Sequence, residues 1–230
     1  MSLGNTSETE LLNHYLVNLD VADIGDAAGL QNSVAAGNFH IALHTADPGE
    51  AGDQTTSEAT FTSYARVAVA RSAGGWTVSG STADNAAAIT FPSATGGSNV
   101  IMFWSMGVAA SGASKIFLRG HCGIAPTIFT VLASNDTVTS FAHGMTTDNR
   151  VVFFTRPGGT LPAGVTDGIV YFILATGLTA DAFTFSTTSG GAAVNITVDG
   201  SGVCARVNPI TVTSGVVVQF GVGALDVVVD

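Results

Sequence analysis

The feature that most constrains this sequence is an alternating apolar pattern that stops, turns and resumes between Phe39 and Ala70. Phe39, Ile41 and Leu43 fall on one side of an extended chain and His40, Ala42 and His44 on the other, because successive strand side chains point to opposite faces. A half-buried strand follows from that pattern. Asp47-Pro48-Gly49 ends it, since proline fixes its own φ and glycine tolerates conformations that reverse a chain. The run from Tyr64 to Ala70 alternates again and predicts a second, returning strand.

The same rhythm continues at Gly74 to Val78, Ala88 to Phe91, Val100 to Val108 and Lys115 to Gly120, with glycine and serine turns between. Short β-branched or aromatic runs at regular spacing predict a mainly β fold, an antiparallel β-sandwich or small barrel. Val207 to Gly215 and Val216 to Val229 read as a closing hairpin that turns at Ser214-Gly215, with Phe220 and Leu225 pointing inward. Residues 6–19 are the one predicted helix. Ser7 and Glu10 have capping-box spacing, and Leu11, Leu12, Tyr15, Leu16 and Leu19 form a broad apolar face. That face either packs on the chain's own sheet or binds a neighbouring subunit.

Four segments carry a family resemblance: LHTADPGEAG with SYARVAV, then AAAITFP, and the closing FGVGALDVVVD; the opening MSLGNTSETELLNHYL fits it too. Together they resemble a family of small phage virion proteins usually labelled phage tail fiber protein, similar to head decoration or cement subunits. The resemblance covers residues 1–125 and 208–230, and in its pattern the strand near Gly120 runs almost directly into Ile210-Thr211-Val212. Here residues 126–207 intervene, carrying more than half of the phenylalanines. Their own strand rhythm falls at Thr137 to Thr139, Arg150 to Thr155, Ile169 to Ala175, Ala182 to Thr187 and Ala193 to Val198. AHGMTTDNRVVFF, TLPAG and YFILATGLTADAFTFSTTSGGAAVNIT resemble a module recurrent in phage structural proteins. The expected organisation is thus a host β domain, 1–125 with 208–230, carrying an inserted small β domain, 126–207, that projects outward from a loop.

Composition narrows the function. Charged residues make up 10% of the chain and the formal charge is −10 with Lys115 the only lysine. Such a chain cannot neutralise a row of phosphates, so nucleic acid is not an expected partner. The sparse charge suggests a surface partly covered by neighbours in an assembly. No apolar run reaches the length of a membrane span, and the N-terminus has acids where a signal peptide carries bases, so neither membrane nor secretory export is expected. Cys122 and Cys204 fit a chain made in a reducing cytoplasm, as small buried apolar residues; Cys204 falls in the closing strand of the module and Cys122 just before its opening one, so the two are expected as neighbours near the junction.

Candidate chemistry is thin. His40 and His44 sit four apart on a strand, about 13 Å between Cα atoms, too far for one metal ion. Asp47, Glu50, Asp53 and Glu58 put four carboxylates in one loop without the ligand order of an EF-hand, so they read as a solvated acidic loop or a partner contact. Nucleophile elbow, P-loop and dinucleotide glycine patterns are absent. All four glutamates lie in the first 58 residues, which does not suit the paired acids of a polysaccharide hydrolase. No catalytic residue, metal or cofactor is expected.

The expected role is a non-enzymatic virion structural protein, assembled in the host cytoplasm. By resemblance it is a capsid decoration or cement subunit that binds the major capsid protein or other virion proteins as a homo-oligomer, with a trimer favoured. One alternative is a tail-fibre or tail-associated subunit contacting the host cell. Another is a glycan-binding module at 126–207.

Overall fold

The computed structural model describes residues 3–25 and 28–229; Met1, Ser2 and Asp230, part of the resemblance at the two chain ends, lie outside that range. The fold is mainly β with antiparallel pairing throughout the sheets and one N-terminal helix. The alternating strand Asn38–His44 pairs with Val67–Ala70 on one side and with Phe103–Gly107 on the other; Ile116–His121 completes a four-stranded sheet. Ala42 and His44 are buried along with Phe39, Ile41 and Leu43, and the His44 ring lies against the following loop, bonded to the Thr56 carbonyl. The alternation is right, but both faces are covered.

Opposite this sheet lies a long, interrupted ribbon. Thr82–Asn85, Ile89–Thr90 and Asn99–Ile101 pair in turn with Asp226–Val228, Gln219–Phe220 and Ile210–Val212. The three ladders keep nearly one register, and backbone bonds from Phe91 to Val218 and from Ala94 to Val216 bridge the gaps. Residues 210–228 therefore follow 82–101 back along one path instead of folding into the expected hairpin. The Ser214-Gly215 turn is a local kink, with Gly215 at φ +89°. The inward positions of Phe220 and Leu225 are as expected. Phe39, Ile41, Leu43, Trp104 and Met106 from the sheet meet Trp76, Phe91, Ile101, Val212 and Phe220 from the ribbon side in one core.

The helix is shorter than the predicted 6–19. It is α-helical over Asn5–Leu12 and passes into a π-helical turn, Asn13–Val17, which ends at Asn18 in the left-handed region. Gly4, not Ser7, is the N-cap, so Ser7 lies inside the first turn and the expected capping box does not form. Arg71 holds the far end instead: its guanidinium donates to the carbonyls of His14, Tyr15 and Ala36. The His14 and Tyr15 carbonyls belong to a helix terminus that has no intrahelical donors left for them, and the Ala36 carbonyl ties the loop before the strand Asn38–His44 to the same guanidinium.

Residues 127–207 build a separate seven-stranded array. Its two outermost strands are Ala182–Phe183, paired with Thr137–Thr139, and Phe185–Ser186, paired with Val170–Ile173. Only Thr184 separates them. One short segment thus supplies both ends of the array and closes it into a barrel, which leaves no long edge to template aggregation. Phe153 is the hub of the interior, with ring centroids 4.9 Å from Phe185, 5.1 Å from Phe129 and 5.7 Å from Tyr171. The remaining strands are Thr127–Leu132, Arg150–Phe154 and Gly200–Val207. Residues 193–198 run as coil and not as the expected strand, held by a bond from the Ile196 N–H to Asp136.

The run Arg-Val-Val-Phe-Phe at 150–154 does not alternate because both of its faces are covered. Val151 and Phe153 fill the barrel. Val152, with Ala205 and Val207, packs outward against Phe103 of the four-stranded sheet, and Phe154 and Met102 flank that contact. The chain leaves for the barrel and returns from it side by side: Gly123 bridges Val207, and the Asn208 N–H donates to the Cys122 carbonyl at 2.6 Å. Cys122 and Cys204 are both free and buried, in different cores. Burial pushes the Cys122 thiol up to about 12.

Candidate functional site

The four carboxylates of the acidic loop do not act as a group. Glu58 turns inward and receives both Nε and Nη2 of Arg66, at 2.7 and 2.9 Å. Arg66 also donates to Gln54 and to the carbonyls of Ala109 and Gly112. The Tyr64 hydroxyl donates to Glu58 at 3.0 Å and accepts from the Leu43 N–H at 3.0 Å, and burial raises its pKa. Asp53 accepts from the Thr55 N–H and hydroxyl, which hold its carboxyl below the usual range. Two of the four carboxylates therefore anchor or cap the loop. Among the described residues no three His, Cys, Asp or Glu side chains converge as metal ligands would.

A serine–histidine pair, unseen in the sequence, lies in the same network. His44 Nε2 and Ser105 Oγ are 2.8 Å apart, the contact of a nucleophile with its base. Both side chains are sealed from solvent, however. The His44 Nδ1–H donates to the Thr56 carbonyl at 2.8 Å, which leaves Nε2 to accept the serine proton. Burial lowers the histidine pKa and keeps the ring neutral. Gln54 donates to the same serine and to the His40 carbonyl. The arrangement fastens the 45–66 loop to the sheet and has no room for a substrate.

Asp47 and Glu50 line a groove of about 870 Å³ between this loop and the barrel wall, Asp47 nearly enclosed and Glu50 in the open. Asp47 pairs with Arg119 of the strand Ile116–His121, and its other oxygen accepts from the Gly49 N–H. Gly168 of the barrel comes so close that a Cβ there would overlap the Asp47 carboxylate. The Arg119 guanidinium also lies 5.8 Å from the Phe154 ring centroid and 3.8 Å from Glu50, whose side chain is 92% exposed. Arg156, Pro157, Asp167 and Ile169 complete the opposite wall. Asp167 Oδ2 accepts from the Thr155 N–H and hydroxyl at 2.9 and 2.8 Å.

The helical face predicted to bind a partner divides. Leu12 and Leu16 belong to the chain's own core, and Leu11 is half-buried. Tyr15 and Leu19 stay exposed, at 41% and 49%. Sequence reasoning found Asp47 and Glu50 but missed Arg119, Phe154, Arg156 and Asp167. The available signal was scarcity: the chain has seven Lys and Arg side chains in all, and two of them line this groove.

Comparison with known proteins fixes the family. The model of the family described as Podophage GP4 fiber I protein gp80 matches residues 2–147, more than half of the chain. The chain belongs to this family. It is accordingly a bacteriophage virion component of a fibre type. The match to the gp80 fibre family spans the helix and the four-stranded sheet and runs on through the barrel strands Thr127–Leu132 and Thr137–Thr139. No curated protein and no solved structure matches the chain.

Proposed function

We propose that this chain is a short fibre subunit carried on the phage tail, where it binds other virion proteins and presents its barrel outward. Membership of a fibre family is the observation that carries this reading, and it favours the tail over the head-decoration role that the sequence resemblance brought forward. The architecture agrees with an adhesive role. The sheet-and-ribbon core with its helix is the attachment body; the barrel is an insertion whose two connecting strands lie side by side, the arrangement that lets a loop accept a folded module. Exposed Tyr15, Leu19, Leu30 and Val34 in the N-terminal arm offer apolar surface for a second copy or a neighbouring protein. A homo-oligomer follows, and a trimer suits a fibre. The work is binding, drawn from buried surface and not from bond-making.

Separated tails and tailless heads from purified particles test this reading by quantitative mass spectrometry. Recovery of the chain with the tails supports it. Retention on tailless heads at capsid stoichiometry would return the assignment to decoration.

A further inference from the structure

We propose that the seam between the strand edges Ile116–His121 and Asp226–Val228 takes up an extended segment of another virion protein, apolar at alternate positions and carrying a basic side chain against Asp84 and Asp226. The inference rests on the reading of the chain as a subunit that binds other virion proteins, and it names the place and the chemistry of one such contact.

Both strands are the last of their sheets, and both line one groove of about 400 Å³. In an antiparallel ladder alternate residues turn their N–H and C=O groups towards the neighbouring strand, and the residues between turn theirs away. The Cys122 N–H donates to the Met102 carbonyl, so with Phe103 opposite His121 the backbone groups of Arg119 and His121 fall on the outer side. The Val229 N–H donates to the Ser81 carbonyl, which puts those of Asp226 and Val228 on the outer side of the other strand. None of these outer groups bonds a described residue. Unpaired edges invite a further strand, the mode by which an extended peptide adds to a sheet.

Side chains fit the groove for the same occupant. Trp104, Leu225 and Val227, buried members of the core, line it. Gly120 brings one edge close to the Trp104 indole: a Cβ there would lie 2.8 Å from the indole nitrogen. Trp104 is only 7% exposed and its indole N–H has no hydrogen-bond partner, yet that nitrogen is not sealed from the groove. A carbonyl on an incoming strand satisfies it. Charge then selects the partner. Asp84 and Asp226 stand directly opposite each other, Asp226 on the groove wall, and neither has an ion-pair partner among the described residues. Like charges opposed across a ladder destabilise it, and a basic side chain beside them removes the repulsion. A second copy fits less well, because its N-terminal arm 20–37 holds Asp20, Asp23 and Asp26 and no Lys or Arg.

The test is titration of the ¹⁵N-labelled full chain with the synthetic peptide Val-Arg-Val-Thr-Val-Thr-Val, with a copy bearing Glu in place of Arg, and with a copy of the Arg peptide N-methylated at every second residue. The Arg peptide is expected to move the amides of 118–121 and 225–228 and the Trp104 indole signal, one of two in the chain and identified by its loss in Trp104→Phe. The Glu peptide should bind at least about threefold more weakly, and Asp226→Asn should narrow that difference. The N-methylated copy, which cannot bond both edges, should bind at least about tenfold more weakly. An unmoved indole and unmoved edge amides at millimolar Arg peptide, equal binding by the N-methylated copy, or no preference between Arg and Glu would each overturn the proposal. Movement of the same amides on concentrating the chain alone would give the seam to a second copy and overturn it too. The tail assignment is read separately, by particle composition, and stands or falls on that.

Discussion

Arg119 donates to Asp47 and lies 5.8 Å over the ring of Phe154, so one side chain of the four-stranded sheet joins the acidic loop to the barrel. Asp47 is 7% exposed and Glu50 92%, which separates their energetic roles. Removing one partner of a largely buried pair leaves the other uncompensated, whereas an exposed pair contributes little. Asp47→Ala should cost about 1–3 kcal/mol by urea denaturation, and Glu50→Ala less than about 0.5 kcal/mol. Hydrogen exchange at 46–50 and 167–170 should quicken in the first variant alone.

Glu58 and Arg66 form the more deeply buried pair, with side chains 17% and 2% exposed. Arg66→Ala strands Glu58 and the two carbonyls it served, at an expected cost of about 3–5 kcal/mol. A loss below about 1 kcal/mol in the same assay would mean the loop is not anchored there.

Acid should loosen the same network. His44 has a folded-state pKa lowered by burial, so below the ordinary histidine value of about 6.5 the unfolded chain takes up protons that the folded chain refuses. Stability is therefore full above that value and falls as pH drops through it. His40 and His121 are depressed for the same reason and act with the same sign. The denaturation midpoint should fall between pH 7.5 and 5.5, and His44→Gln should flatten that fall.

Asp84 and Asp226 sit directly opposite each other where the ribbon pairs. The shared hydrogen bond, with burial and repulsion, raises the Asp84 pKa. The sign is opposite to that of His44: the folded chain holds this proton more tightly, so the contribution is present at acid pH and lost as pH rises above the carboxylate range. Asp226→Asn removes the repulsion and should raise the melting temperature at pH 7 but not at pH 3.

Gly120 faces Trp104 across the strands, and a Cβ there would lie 2.7 Å from the indole. Gly120→Ala should cost about 1–3 kcal/mol through overpacking. Gly112→Ala, with open space but φ +74°, should cost only its backbone strain, about 1 kcal/mol.

The strands were legible where one face is apolar and where glycine or serine marks the turn, as at Asn38–His44 and Thr137–Thr139. Two closures were not. The segment 182–186 seals the barrel by pairing on both sides, and nothing local distinguishes it from an ordinary short strand. The return path 210–228 beside 82–101 is a long-range pairing that residue pattern does not encode. At the N-terminus Ser7 and Glu10 had the right spacing, but the helix starts earlier, and Arg71, remote in sequence, caps its other end. The groove was half visible: Asp47 and Glu50 stood out as a cluster, while Arg119, Phe154 and Arg156 come from segments that only the fold brings together.

A side-chain-resolution reconstruction of the intact particle tests the fibre assignment most directly. It is expected to place the sheet-and-ribbon body against tail proteins, in an oligomer, with the barrel pointing away from the particle axis. Density for this chain on the capsid shell and none on the tail would contradict it.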